Sequence, residues 1–156
     1  MKIRFILNND EVSLDIDPLR RLLDVLREDF GLKSVKEGCG EGECGACSVL
    51  LDGKNVNSCL VPVGSIDGRE VLTIEGLADT ERFRIISNAF IRCGAVQCGF
   101  CTPGMIIATE ALLRENSNPD REEIRDWLSG NLCRCTGMNM IIEAVQLASK
   151  EGKGLW

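Results

Sequence analysis

The stretch GCGEGECGAC, residues 38–47, constrains this chain more than any other feature. It packs Cys39, Cys44 and Cys47 among four glycines, Gly38, Gly40, Gly42 and Gly45. Gly40 to Gly45 also fits G-x-G-x-x-G, the pattern of a loop that cradles a dinucleotide pyrophosphate. Such a loop follows a buried strand and opens a helix. Here the preceding Ser34-Val35-Lys36-Glu37 is too polar for that strand, and the following Ser48-Val49-Leu50-Leu51 reads as a strand rather than a helix. Glu41 and Glu43 are poor neighbours for phosphate charge. The context therefore rejects the phosphate reading and leaves the thiols. Three thiolates converging from so short a loop need a backbone that turns sharply and repeatedly, which the glycines permit through positive φ and close approach.

The spacing Cys39-x4-Cys44-x2-Cys47, with Cys59 after eleven intervening residues, matches the plant-type [2Fe–2S] pattern. A second set follows, Cys98-x2-Cys101 before a predicted helix and Cys133-x-Cys135 between two more. Structural zinc favours spacings of two to four residues in both arms, so C-x2-C together with C-x-C points away from it. Helix N-termini stabilise thiolates through the dipole and free N–H groups. Eight thiols thus divide into two groups of four. Cys93 is left over, on the apolar face of a predicted helix, and reads as a buried structural thiol.

The chain has nine cysteines and no histidine. The lack of histidine removes His-containing zinc sites, Rieske centres and serine-protease triads. No apolar run approaches the roughly 18 residues of a membrane span. MKIRFILNND turns polar too early for a secretory signal, and Arg20-Arg21 has no long apolar stretch after it. The expected compartment is the cytoplasm, where dense cysteine means metal ligation or redox chemistry rather than disulfides. The formal charge of −6, from 24 acidic and 18 basic residues, argues against a nucleic-acid surface.

The first half alternates with strand periodicity. Ile3, Phe5 and Leu7, a turn at Asn8-Asn9-Asp10, then Val12, Leu14 and Ile16 read as a β-hairpin. Asp17-Pro18 predicts a helix start, with Leu19, Leu22, Leu23 and Leu26 as its stripe and Gly31 as its end. SVLLDGKNV predicts a second hairpin turning at Asp52-Gly53, and VLTI at 71–74 a last short strand. The second half predicts four short helices: one carrying Phe83, Ile86, Ala89, Phe90 and Cys93; a buried one from Thr102-Pro103 to about Arg114; one capped by Asn118-Pro119-Asp120; and one from about Gly137 to Ser149. The boundary is expected near Gly76–Asp79, giving an α+β chain with domains 1–76 and 77–156. Each half has fewer than about 80 residues, small enough to need a staple such as a metal. Trp127 is expected in the core, Trp156 in a frayed terminus, and Glu41 and Glu43 in solvent.

The segments GCGEGECGACSVLLDG, NSCL, GAVQCGFCTPGM and SGNLCRCTG together resemble the iron–sulfur subunit of the molybdenum hydroxylases, the xanthine oxidase family. The resemblance spans nearly the whole chain. It implies a ferredoxin-like β-grasp domain followed by a four-helix bundle, each holding one [2Fe–2S] cluster. It also implies two partners, a large molybdenum–pterin subunit and a medium FAD subunit, assembled as a dimer of heterotrimers. Electrons would run from molybdenum to the Cys98/Cys101/Cys133/Cys135 cluster, then to the Cys39/Cys44/Cys47/Cys59 cluster, then to flavin. Gln97 and Cys135 would touch the pterin. The substrate pocket would lie on another chain, with a purine or other N-heterocycle expected, and aldehyde or carbon monoxide as alternatives. Met138-Asn139-Met140 departs from the family's usual aromatic continuation after CRCTG, which suggests an altered contact just beyond Cys135. A free-standing ferredoxin-type carrier would explain the first cysteine set but not the second. A zinc-stabilised interaction module would be colourless, whereas an iron–sulfur protein is red-brown.

Overall fold

The computed structural model describes residues 1–156. Strands β1 (Lys2–Leu7) and β2 (Asp10–Asp15) pair antiparallel. Asn8 and Asn9 close the hairpin with φ of 51° and 73°, a left-handed pair that asparagine tolerates better than most residues. A second hairpin joins β3 (Ser48–Leu51) to β4 (Lys54–Asn57) through Asp52 and Gly53, again both at positive φ. Strand β5 (Glu70–Leu72) runs parallel to β1 and antiparallel to β3. The mixed sheet has the order β2-β1-β5-β3-β4.

The first helix begins later than Asp17-Pro18 predicts. Residues 17–20 instead form a turn, with Arg20 N–H donating to Asp17 O. The backbone from 18 to 22 bonds to 61–64 through Gly64 N–H to Pro18 O, Val63 N–H to Arg20 O and Leu22 N–H to Val61 O, with one isolated bridge between Arg21 and Pro62. Asp17 Oδ1 accepts from Leu19 N–H in a local turn, and Leu19 is 79% exposed rather than part of a buried stripe. Helix α1 (Leu22–Asp24) then runs into one π-helical turn, Val25–Asp29, which buries Leu22, Leu23, Val25 and Leu26. The VLTI strand is also shorter than expected. Thr73 N–H donates to Asn8 Oδ1, and the chain turns into the short helix α2 (Ile74–Leu77).

Four longer helices follow: α3 (Glu81–Arg92), α4 (Thr102–Glu115), α5 (Arg121–Trp127) and α6 (Asn139–Glu151). Their starts follow from local chemistry. Thr80 Oγ1 accepts from Phe83 N–H, and Asp120 with Glu123 forms a reciprocal capping box. Pro103 occupies the first turn of α4. None of the helices is long and apolar enough to cross a membrane.

Two apolar cores result. One, of 15 buried residues, lies between the sheet and α1; the other, of 20, lies among α2 to α6. They meet at β3, whose four residues are all buried. Val49 and Leu51 point into the first core and Leu50 into the second, because α4 packs across the outer face of β3 and β4.

Helix α4 is enclosed from Gly104 to Leu113, and that span includes Glu110, whose side chain is 0% exposed. Glu110 Oε1 accepts from Arg82 Nε at 2.8 Å and Arg114 Nε at 2.7 Å, and Oε2 accepts from Trp156 Nε1 at 2.9 Å. Trp156 is therefore docked against the helical core instead of frayed, and a Cβ on Gly152 would collide with its ring. Trp127 is half-buried against the same core, with its indole N–H on Ala108 O. Cys93 is half-buried at the C-terminal cap of α3, less enclosed than its apolar helical face suggests.

Candidate metal centres

The loop between α1 and β3 brings Cys39, Cys44 and Cys47 to the end of the sheet. Gly40, Gly42 and Gly45 all sit at positive φ there. A Cβ on Gly38 would lie 2.7 Å from Cys44 Sγ, so the bare backbone is what lets the loop close over the thiol. The backbone N–H groups of Glu41 and Glu43 both donate to Cys39 Sγ at 3.3 Å. Those of Cys39 and Ala46 donate to Cys44 Sγ at 3.4 and 3.5 Å. Such donors stabilise the thiolate, and the N–H groups of Glu41 and Glu43 bring the Cys39 thiol down to about 7. Both glutamate side chains remain in solvent, so these residues serve through their backbone. Cys59 enters from the short 3₁₀ turn Ser58–Leu60 after β4 and faces Cys47. Both are buried, and burial followed by contact with Cys47 pushes Cys59 up to about 11.

The second set gathers where α4 begins and where α5 gives way to α6. Cys101 is the N-cap of α4. Its thiol faces Cys133, and burial followed by that contact pushes it up to about 12. Burial also pushes the Cys133 thiol up, but hydrogen bonds from the Thr136 hydroxyl and backbone N–H outweigh it and leave the thiol below its ordinary value. Cys98 and Cys135 face each other at the surface, where contact with Cys98 raises the Cys135 thiol. Gln97 is exposed beside them, as are the side chains of Val96, Phe100 and Leu132.

The two sets are stitched together. Leu132 N–H donates to Cys44 O at 2.9 Å, which joins the residue before Cys133 to a cysteine of the first loop. The buried Asn131 donates from Nδ2 to Gly45 O and Ser48 Oγ, both at 3.2 Å. The carbonyl of Gly45 also presses on Gly104 in the first turn of α4, where a Cβ would overlap it. Gly104→Ala should force α4 away from the loop and cost about 1–3 kcal/mol, the usual penalty of overpacking. Thermal unfolding checks this, and an unchanged midpoint would refute the close approach. The sequence motif SGNLCRCTG contains Asn131 and Leu132, but nothing in the one-dimensional pattern indicates that their polar groups reach back about 85 residues.

Within each set the thiols meet in pairs: Cys39 with Cys44, Cys47 with Cys59, Cys101 with Cys133, and Cys98 with Cys135. No three acidic or thiol side chains converge on a point as the ligands of a single ion would. A [2Fe–2S] core takes its thiolates two to each iron, so paired sulfurs under backbone N–H donors fit it.

Comparison with known proteins agrees with this chemistry. Residues 5–73 match the family model described as a 2Fe-2S iron-sulfur cluster binding domain, and residues 73–146 that described as a [2Fe-2S] binding domain. The nicotinate dehydrogenase small FeS subunit of Eubacterium barkeri is 51% identical over 142 residues, which cover 91% of this chain and 90% of that one. The xanthine dehydrogenase iron-sulfur-binding subunit of Escherichia coli O157:H7 is 46% identical over 141 residues, covering 89% and 88%. The chain belongs to the iron–sulfur subunits of the xanthine dehydrogenase family of molybdenum hydroxylases. Such a subunit transfers electrons through two [2Fe–2S] clusters, while molybdenum–pterin and FAD reside on partner subunits. The crystal structure of quinoline 2-oxidoreductase from Pseudomonas putida 86 superimposes on this iron–sulfur subunit with a TM-score of 0.91 at 40% identity, covering 97% of this chain and 94% of that one.

Proposed function

We propose that Cys39, Cys44, Cys47 and Cys59 hold the cluster that faces FAD, and that Cys98, Cys101, Cys133 and Cys135 hold the cluster that faces molybdenum. In this reading Cys39/Cys44 and Cys47/Cys59 would each hold one iron of one core, and Cys98/Cys135 and Cys101/Cys133 one iron each of the other, which the pairing of the sulfurs supports. When bound, each core supplies a one-electron couple. The chain's own residues supply the rest. The exposed pair Cys98/Cys135 and Gln97 form the face that meets the pterin, with Val96, Phe100 and Leu132 as an apolar surround. The half-buried pair Cys101/Cys133 faces inward, where the Leu132-to-Cys44 hydrogen bond gives the shortest bonded route to the first loop. Cys39 and Cys44, half-buried beside the 61%-exposed Leu60, form the face toward flavin. The Leu132-to-Cys44 hydrogen bond carries the reading of an internal relay, because a free-standing ferredoxin needs no second set behind its loop.

In this reading the chain divides into a β-grasp ferredoxin-like domain, residues 1–76, and a four-helix bundle, residues 77–156. The two cores and the two family matches support that division. The subunit works in the cytoplasm within a dimer of heterotrimers. The complex acts on an N-heterocycle, a reading supported by relatives named for nicotinate, xanthine and quinoline. Anaerobically reconstituted protein should bind about four irons per chain, two for each core, and show two distinct paramagnetic signals when reduced. An iron content of about half that, or a single signal, would overturn the two-cluster assignment.

A further inference from the structure

We propose that Thr136 sets the reduction potential of the cluster held by Cys98, Cys101, Cys133 and Cys135. The inference rests on the ligand assignment above and goes beyond it by naming the side chain that tunes one cluster apart from the other.

Every donor to the Cys39 and Cys44 sulfurs is a backbone N–H group, from Cys39, Glu41, Glu43 and Ala46. The second set differs. Thr136 Oγ1 donates to Cys133 Sγ at 3.1 Å, and Thr136 N–H donates to the same sulfur at 3.4 Å. Thr136 is the one hydroxyl or amide side chain in the chain that donates to a ligand sulfur. Its direction is fixed from behind, because Met138 N–H donates to Thr136 Oγ1 at 3.4 Å. A hydroxyl oxygen that accepts there turns its proton toward the thiolate, and each bond polarises the next.

The backbone at Met138 gives independent support. Met138 is a non-glycine residue at φ 72°, a left-handed conformation that a side chain with Cβ disfavours. It is the residue before α6, and it follows Gly137, also left-handed at φ 69°, in the turn where Met138 N–H meets Thr136 Oγ1. A strained residue that persists is one the surroundings over-determine. Here the surroundings are the turn that aims the Thr136 hydroxyl.

Adding one electron to the core, from the molybdenum side in the complex or from dithionite in a titration, makes or breaks no bond in the chain. It raises the negative charge on the ligand sulfurs. A donor on such a sulfur stabilises the reduced form more than the oxidised form and raises the potential. Thr136 acts on Cys133, the ligand next to Leu132 and its bond to the first loop. The extra stabilisation therefore falls on the inward side of this cluster.

The test is a paramagnetic-resonance redox titration of the assembled complex carrying Thr136→Val, Thr136→Ser or Thr136→Ala. At a fixed applied potential, Thr136→Val should lower the reduced-to-oxidised ratio of this cluster about tenfold, equal to about 59 mV for one electron. Thr136→Ser should titrate like the native protein, and the Cys39/Cys44/Cys47/Cys59 cluster should stay put in all three. If Thr136→Val loses the cluster, Thr136→Ala is read by the same criterion. A valine or alanine variant that keeps both clusters and titrates within about threefold of native would overturn the proposal. So would equal shifts for serine and valine, or loss of the cluster in both valine and alanine while serine keeps it, since the hydroxyl would then serve assembly. Failure of the underlying ligand assignment looks different, because the native complex would then lack the second signal.

Discussion

Cys133→Ala yields a subunit that keeps about half its iron and no longer supports turnover with acceptors that draw electrons at the flavin. The substitution removes one of the two thiolates on the inward iron and leaves Cys101, half-buried, without its partner. A core held by three cysteines loses a ligand it cannot replace from nearby, because the chain contains no histidine and the remaining ninth thiol, Cys93, caps a different helix. The first loop keeps all four of its thiols and its backbone donors, so its paramagnetic signal should persist. Reduction of the molybdenum centre by substrate should partly survive, since that step precedes the relay. Iron analysis, spectra of the dithionite-reduced complex and stopped-flow reduction by substrate read these three consequences separately. Unchanged acceptor-linked turnover would sink the relay assignment outright.

Glu110→Ala should cost stability on the order of 3 kcal/mol. The carboxylate is wholly enclosed and organises three donors from three parts of the chain: Arg82 on α3, Arg114 one turn further along α4, and the indole of Trp156. Removing it leaves a cavity beside the helical core and three donors without their acceptor. The two guanidinium groups are 32% and 36% exposed and can turn to water, which holds the loss below that of a fully buried pair. For a chain of this length the melting temperature should drop by roughly 6–12 °C. Glu110→Gln, which keeps the shape and one acceptor, should lose less, and Trp156→Phe, which removes the N–H and part of the packed ring, at least about 1 kcal/mol. Equal losses for alanine and glutamine would show that charge, not occupied space, holds the network.

Periodicity made much of this fold legible. The two hairpins, their turns at Asn8-Asn9 and Asp52-Gly53, and all four longer helices stand where alternation, helical stripes and capping residues place them. The misreadings share a cause. Asp17-Pro18 has the chemistry of a helix start, but residues 61–64 offer the same backbone a pairing partner, and a contact that distant in sequence leaves no local trace. Trp156 reads as a loose end because its acceptor, Glu110, lies inside a helix predicted to be buried, where a partner for a distant indole is not expected. The cysteine spacing is legible because thiols that converge from short loops need particular intervals, and the structure brings these thiols together in pairs. The Asn131 and Leu132 stitches and the Thr136 hydroxyl are not legible, since an asparagine or threonine beside a ligand reads the same whether it faces solvent or sulfur.

Strand β3 is enclosed on both sides, with α1 and its core beneath and α4 above. The chain is thus a wire of set length and not a shuttle on a tether. A protease site engineered between residues 73 and 77 would not release a working miniature ferredoxin. It would bare Leu50 and the inner wall of α4 together, and both fragments would cling to each other or to whatever greasy surface they met first.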